Sequence, residues 1–228
     1  SRLGPASGTG RWALVDELRK GMGIITPTEA ATSRALQLLE RYGVLTREMA
    51  LAEGAEGGFA GVYPILKEME DRGQVRRGYF VTGLGAAQFA LPGAVDRLRD
   101  ERQNTLPDEP PPVITLSAVD PAQPYGAAIP WPETAGRPAR ATGSYVVLRN
   151  GLPLVYCHKG GRSITVFDGA VDDPEWTVAL TALVTGKRLR SLEIQKVNGD
   201  PIAEHPEVQD ALLGGGFKPG YRGPTFRR

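Results

Sequence analysis

Residues 75–92, VRRGYFVTGLGAAQFALP, carry two adjacent arginines, two aromatics before a glycine-flanked turn and one glutamine beyond it. Arg76 and Arg77 suit phosphate oxygens, because a guanidinium offers parallel N–H groups to an anion. Tyr79 fits either stacking on an unpaired base or packing beneath the hairpin. Gln88 stands between Ala86 and Ala90, where its amide has room to reach a ligand; the competing role is bonding to backbone. Three carboxylates, Asp120 in VDPAQPYG, Asp168 after SITVF and Asp200 in NGDP, offer a group able to polarise a water or stabilise developing positive charge. Each also suits a turn, and Asp172 and Asp173 suit helix capping. Asp120 is the preferred candidate, because DPAQPYGAAIPWP is long and irregular and its Tyr125 and Trp131 suit the lining of a cleft. Lys159 and Arg162 flank the glycine turn of HKGGRS, as a second phosphate contact or as solvated charges at a hairpin tip.

These residues must be held by the elements around them. PTEAATSRALQLLERYG has a helical period, with Ala31, Ala35, Leu38, Leu39 and Tyr42 on one face, Thr26 or Thr28 as cap and Gly43 as stop. TREMALAEG predicts a short second helix with Thr46 as cap and Gly54 as stop, and GGFAGVYPILKEMEDRG a third with Phe59, Val62, Leu66 and Met69 at helical spacing. Period-two alternation then predicts a hairpin over 75–91, and GAVDRLRDERQ a further helix. Three helices followed by a hairpin is the winged-helix order, in which the third helix enters a major groove and the hairpin meets backbone or minor groove. Glu68, Glu70 and Asp71 sit among Lys67 and Arg72 on that third helix, which argues for contact through the wing instead.

Proline and acid dominate NTLPDEPPPV and mark a boundary. Beyond it GSYVVLRNGLPLVYCHKGGRSITVF predicts three antiparallel strands turned at Asn150-Gly151 and Gly160-Gly161. Two helices (172–187 and 205–217), a strand over SLEIQKV and a last strand in GPTFRR follow. The fold class expected is α+β: an entry segment (1–25), a winged-helix domain (26–103), a linker (104–113) and a mostly antiparallel, β-barrel-like domain with two helices (114–228).

The chain has 228 residues, with 27 Lys and Arg against 26 Asp and Glu. Nucleic-acid binding must therefore come from local arginine placement, and a bulk basic protein is excluded. Cys157 is the only cysteine, which removes intramolecular disulfides, and with only His158 and His205 as imidazoles no metal site is expected. Alternation puts Cys157 and His158 on opposite strand faces, against a dyad. No apolar run is long enough to span a membrane and no signal peptide opens the chain, so a cytoplasmic, nucleoid-associated protein with no membrane partner is expected.

The run RYGVLTREMALAEGAEGGFAGVYPILKEMEDRGQVRRGYFVTGLGAAQFALPGAVDRLR, followed by DPAQPYGAAIPWP and GGRSITVF, with GRWAL near the start, resembles the C-terminal region of the bacterial Lhr (large helicase-related) proteins. The resemblance implies a superfamily 2 ATP-dependent DNA translocase and helicase with its motor elsewhere. TGKR at 185–188 lacks the preceding glycine and the hydroxyl residue of a P-loop, so ATP and Mg are expected only for the motor, and no cofactor for this chain. The resemblance implies DNA and the motor of the same protein as partners; the near-zero net charge and the acidic third helix favour, as a separate reading, a module for self-association (a homo-oligomer) or for docking a partner. The resemblance extends to AlkZ/YcaQ-type DNA glycosylases, which place paired polar side chains in Q-x-Q or Q-x-D around a flipped base; here Ala90 stands where the second of the pair belongs.

Overall fold

The computed structural model describes residues 13–20, 23, 25–85, 87–103, 111–170 and 172–228. Most of the expected entry segment, the first three residues of GRWAL, Ala86 and most of the expected linker lie outside the described residues. After a short helix α1 (Val15–Arg19), Thr26 and Glu29 close a reciprocal cap on α2 (Pro27–Tyr42). The Thr26 hydroxyl accepts from the Glu29 amide at 3.2 Å, and the Glu29 carboxylate accepts from the Thr26 amide at 2.8 Å. Gly43 ends α2 with φ +70°, a conformation that favours glycine. Thr46 caps α3 (Arg47–Ala52), and α4 (Gly58–Asp71) buries Val62, Leu66 and Met69.

Strands β1 (Val44–Leu45), β2 (Arg76–Gly78) and β3 (Gln88–Ala90) form an antiparallel sheet in the order β1-β3-β2, and α5 (Pro92–Gln103) follows. Two-residue β1 is too short for period-two alternation to reveal, yet it makes β3 the central strand. Phe89 of β3 is fully buried, with the rings of Tyr63 and Phe59 at 5.9 and 6.4 Å.

The wing is shorter in ladder than alternation suggests: β2 stops at Gly78. Beyond it Gln88 replaces the ladder. Its carbonyl oxygen accepts from the amides of Phe80 (2.7 Å) and Val81 (2.8 Å), and its amide nitrogen donates to the carbonyls of Val81 (2.9 Å) and Leu84 (3.1 Å). One buried side chain thus satisfies four backbone groups of a loop that would otherwise have only water.

The second half holds β4 (Val113–Ser117), β5 (Tyr145–Arg149), β6 (Leu152–Cys157), β7 (Ser163–Val166), α6 (Glu175–Thr185), β8 (Ser191–Glu193), β9 (Lys196–Val197), β10 (Asp200–Pro201), α7 (Pro206–Gly214) and β11 (Thr225–Arg227). Asn150 and Gly151, at φ +49° and +78°, make the tight β5–β6 hairpin. The barrel-like expectation is not met. The sheet is open, ordered β10-β9-β7-β6-β5-β4, and SLEIQKV breaks into β8, which pairs only with β11, and β9, which joins β7 in parallel. The connection through α6 returns the chain beside β7 in the same direction, which a meander cannot do, and the sheet has two ends. One face buries Val147, Val155 and Ile164 against Trp176 and Leu180 of α6 and Val208 and Leu212 of α7. The other buries Val146, Leu148 and Tyr156 under the irregular segment 118–143, whose Trp131 stacks between Tyr125 (5.5 Å) and Phe167 (6.1 Å).

Arg149 ties the entry of this half to α6. Its guanidinium donates to the Pro111 carbonyl at 2.5 Å, engages both Asp173 carboxylate oxygens and reaches Glu175 at 2.9 Å. Asp173, expected as a cap, meets the Glu175 amide at 3.3 Å while serving mainly as this arginine's partner.

Two outcomes follow for stability. A Cβ at Gly223 would lie 1.9 Å from the Ile194 carbonyl at a φ of +144°. Gly223→Ala is therefore expected to cost about 2 kcal/mol or more, read by thermal melting, whereas Gly93→Ala, with nothing within 4 Å, leaves the melting temperature nearly unchanged. Gln88→Ala is expected to cost about 2 kcal/mol and to speed hydrogen exchange at the Val81 amide; unchanged exchange there would show that the loop does not depend on the glutamine.

Candidate nucleic-acid interface

Arg76 and Tyr79 project from the wing into solvent, and Tyr79 is 90% exposed. Neither side chain has a hydrogen-bonding or ionic partner among the described residues. Arg77 behaves differently: its Nε lies 3.3 Å from Glu70 of α4, so part of its charge is spent inside the protein. Arg72 is likewise held by Glu68 at 2.7 Å. The cations at the end of α4 are thus matched by its own acids. The N-terminal half of α4 instead borders a groove of about 620 Å³ walled by Leu51, Phe59, Ala60, Tyr63 and Pro64, with Arg47 at its edge. A helix that reads a major groove presents polar and cationic ends; α4 presents carboxylates and apolar rings.

Gln88 is fully buried and fully occupied by the wing loop, so the open position inferred from its small neighbours is not what the fold provides. Asp120 is half-buried. Its carboxylate accepts from the Ala122 amide at 2.9 Å, and its carbonyl accepts from Arg140 at 3.2 Å. No hydrogen bond links Gln88 to Asp120. The segment expected to line a cleft is the lid of the sheet: Tyr125 is buried against Trp131, and fully buried Gln123 bonds the Ala118 and Tyr125 backbones at 3.1 and 3.0 Å. Arg140 holds this lid by donating to the Gln123 carbonyl at 2.5 Å and the Val119 carbonyl at 3.2 Å. Ala128 and Ile129 of the lid pack into the winged-helix core, joining the two halves.

Lys159 and Arg162 flank the glycines of the β6–β7 turn, both exposed. The Lys159 stem runs over Gly143, where a Cβ would sit 3.3 Å from its Cγ. Cys157 is buried and its thiol is pushed up to about 12 by desolvation, which makes it a core side chain. His158 faces the other way, half-buried, with Nε2 3.0 Å from the Thr165 hydroxyl and its pKa lowered by burial. Of the three candidate carboxylates, Asp168 is exposed beyond β7, and Asp200 borders a polar cavity with His158. Sequence reasoning did not find Arg140, Arg149 or this cavity, because each depends on residues far apart in the chain. Among the described residues no helix is long and apolar enough to cross a membrane.

Comparison with known proteins agrees with this arrangement. Residues 25–110 match the model for the winged-helix domain of the large helicase-related protein. The chain is 41% identical over 229 residues to a Mycolicibacterium smegmatis protein named "Lhr helicase/ probable uracil glycosylase", covering 96% of the chain and 15% of that relative. It is 36% identical over 202 residues to the Escherichia coli K12 protein named "Lhr helicase/uracil glycosylase", covering 86% of the chain and 13% of that relative. The chain therefore spans about one-seventh of the length of these relatives. The winged helix built around β3 is thus the part of this chain that matches the large helicase-related (Lhr) family model, and the chain as a whole is similar to a segment of two Lhr proteins.

Proposed function

We propose that the chain is an accessory DNA-binding module of an Lhr-type DNA repair helicase, holding nucleic acid through its wing while ATP and Mg are used by the motor of the same protein. The observation that carries this reading is an exposed, unpartnered Arg76 beside Tyr79 on a wing whose loop is pinned by Gln88. Fixing the loop in advance reduces the ordering cost of binding. Phosphate contact by Arg76, with Arg77, Lys159 and Arg162 in support, positions a strand without reading its sequence. Tyr79 offers a stacking face for an unpaired base.

Excision of a base is the second reading, favoured by the glycosylase names of both relatives. Within this chain it would draw on a carboxylate to stabilise positive charge on the sugar. The Asp120 carboxylate is oriented by the Ala122 amide at 2.9 Å, and Asp200 stands at a cavity; Gln88 supports the site only by shaping the wing.

Two measurements separate these readings. In fluorescence anisotropy with single-stranded, duplex and forked DNA at two salt concentrations, Arg76→Ala is expected to weaken binding about tenfold and to reduce the log–log salt slope by about 1, with a smaller effect for Arg77→Ala, whose charge Glu70 already shares. An absence of binding at low salt sinks the DNA-contact reading and favours docking to a protein through the apolar α4 groove. For excision, uracil release from a labelled strand is expected to fall at least about a hundredfold in Asp120→Asn or in Asp200→Asn; release unchanged in both variants and in Gln88→Ala removes all three residues from the chemistry.

A further inference from the structure

The lid ends over β7, and between them lies a cavity of about 370 Å³ bordered by Arg137, His158, Ser163, Thr165, Asn198 and Asp200. Its volume falls in the range of about 300 to 1,000 Å³ that small-ligand sites occupy. The lid lies directly on the sheet there: a Cβ at Gly136 would come 2.2 Å from the Thr165 hydroxyl. Asn198, at φ +55° in the β9–β10 turn, has its carbonyl oxygen fixed by the Val166 amide at 2.9 Å. Its amide nitrogen has no partner among the described residues, and neither do the Ser163 hydroxyl, the Asp200 carboxylate or the Arg137 guanidinium. Lys196 is paired with Ser163 across β7 and β9, so its exposed side chain stands on the face that Ser163 presents to the cavity.

The distribution of charge decides what fits. Burial lowers the pKa of His158 and so disfavours a positive charge on the ring, and Asp200 adds a carboxyl group, so neither attracts an anion. The cations, Arg137 and Lys196, are both exposed. A bare phosphate would meet the Asp200 carboxylate; an apolar ligand would strand the free amide and hydroxyl. A ligand with a neutral, hydrogen-bonding body and an anionic tail satisfies both parts. We infer that this cavity receives a single nucleotide, its base edge against Asn198, Ser163 and Asp200 and its phosphate against Arg137 and Lys196. As a site for one unpaired nucleotide of a bound strand, the inference rests on the DNA-contact reading, and its test is arranged so that the two fail separately.

The intact chain is titrated with deoxyuridine, deoxycytidine and deoxyadenosine 5′-monophosphates, with deoxyribose 5-phosphate and inorganic phosphate alongside, by calorimetry and saturation-transfer NMR. The expected result is binding of the nucleotides with saturation reaching the base protons. Affinity is expected to fall about tenfold in Arg137→Ala and in Lys196→Ala and several-fold in Ser163→Ala. Arg137 and Lys196 are exposed and unpartnered, so their variants keep the fold, checked by an unchanged melting temperature. Equal affinity for inorganic phosphate or deoxyribose 5-phosphate overturns the base subsite, and nucleotide binding indifferent to both Arg137→Ala and Lys196→Ala places the site elsewhere. Strand binding that depends on Arg76 without any mononucleotide binding removes the cavity and leaves the wing reading intact. Mononucleotide binding without strand binding does the reverse.

Discussion

The packing of the lid, residues 118–143, is the constraint on which the rest depends. It has almost no ladder of its own, yet Trp131 stacks between Tyr125 and Phe167 on the sheet while Ala128 reaches into the winged-helix core. A stretch of chain buried without strands or helices must satisfy its polar backbone by other means. Gln123 and Arg140 do so, each serving several carbonyls. Without them the aromatic stack would lose its footing, the two halves would lose a shared core, and the polar cavity at β7 would lose one wall.

Local charge is arranged on the same economical principle. With 27 basic and 26 acidic side chains, the molecule has no general attraction for polyanions. What distinguishes a binding surface is which cations lack an internal partner. Arg72, Arg77 and Arg149 are matched by carboxylates; Arg76, Arg137 and Lys196 are not. One of these free cations stands on the wing and two stand at the cavity, whereas the C-terminal end of α4 pairs Arg72 and Arg77 with its own Glu68 and Glu70.

Elements with a strong period were legible in the sequence. The α2 face of Ala35, Leu38 and Leu39, the caps at Thr26 and Thr46, and the Asn150-Gly151 turn all stand where periodicity and turn chemistry put them. What escaped was whatever depends on pairing between distant segments. β1 has two residues, β8 and β9 divide one apparent strand, and the parallel β7–β9 contact follows from the crossover through α6, so an open sheet was read as a barrel. The wing residues were legible as candidates, but not the division of labour between Arg76 and Arg77, which Glu70 decides from another element. The small neighbours of Gln88 in the sequence suggest open space around it, whereas its amide is filled by four backbone groups of the wing loop.

An open sheet also has two margins, and they are unlike one another. At β10 the ladder consists of Asp200 and Pro201, and a proline has no N–H to extend it. That margin is chemically terminated, and the charged residue beside it is the one that borders the cavity. At the opposite margin β4 runs five residues from Val113 to Ser117 just after three consecutive prolines, its inner side bonded to β5 along its whole length. The molecule thus resists lateral growth at the side nearest its polar pocket and keeps its longer, more regular margin beside the point where Arg149 grips the incoming chain.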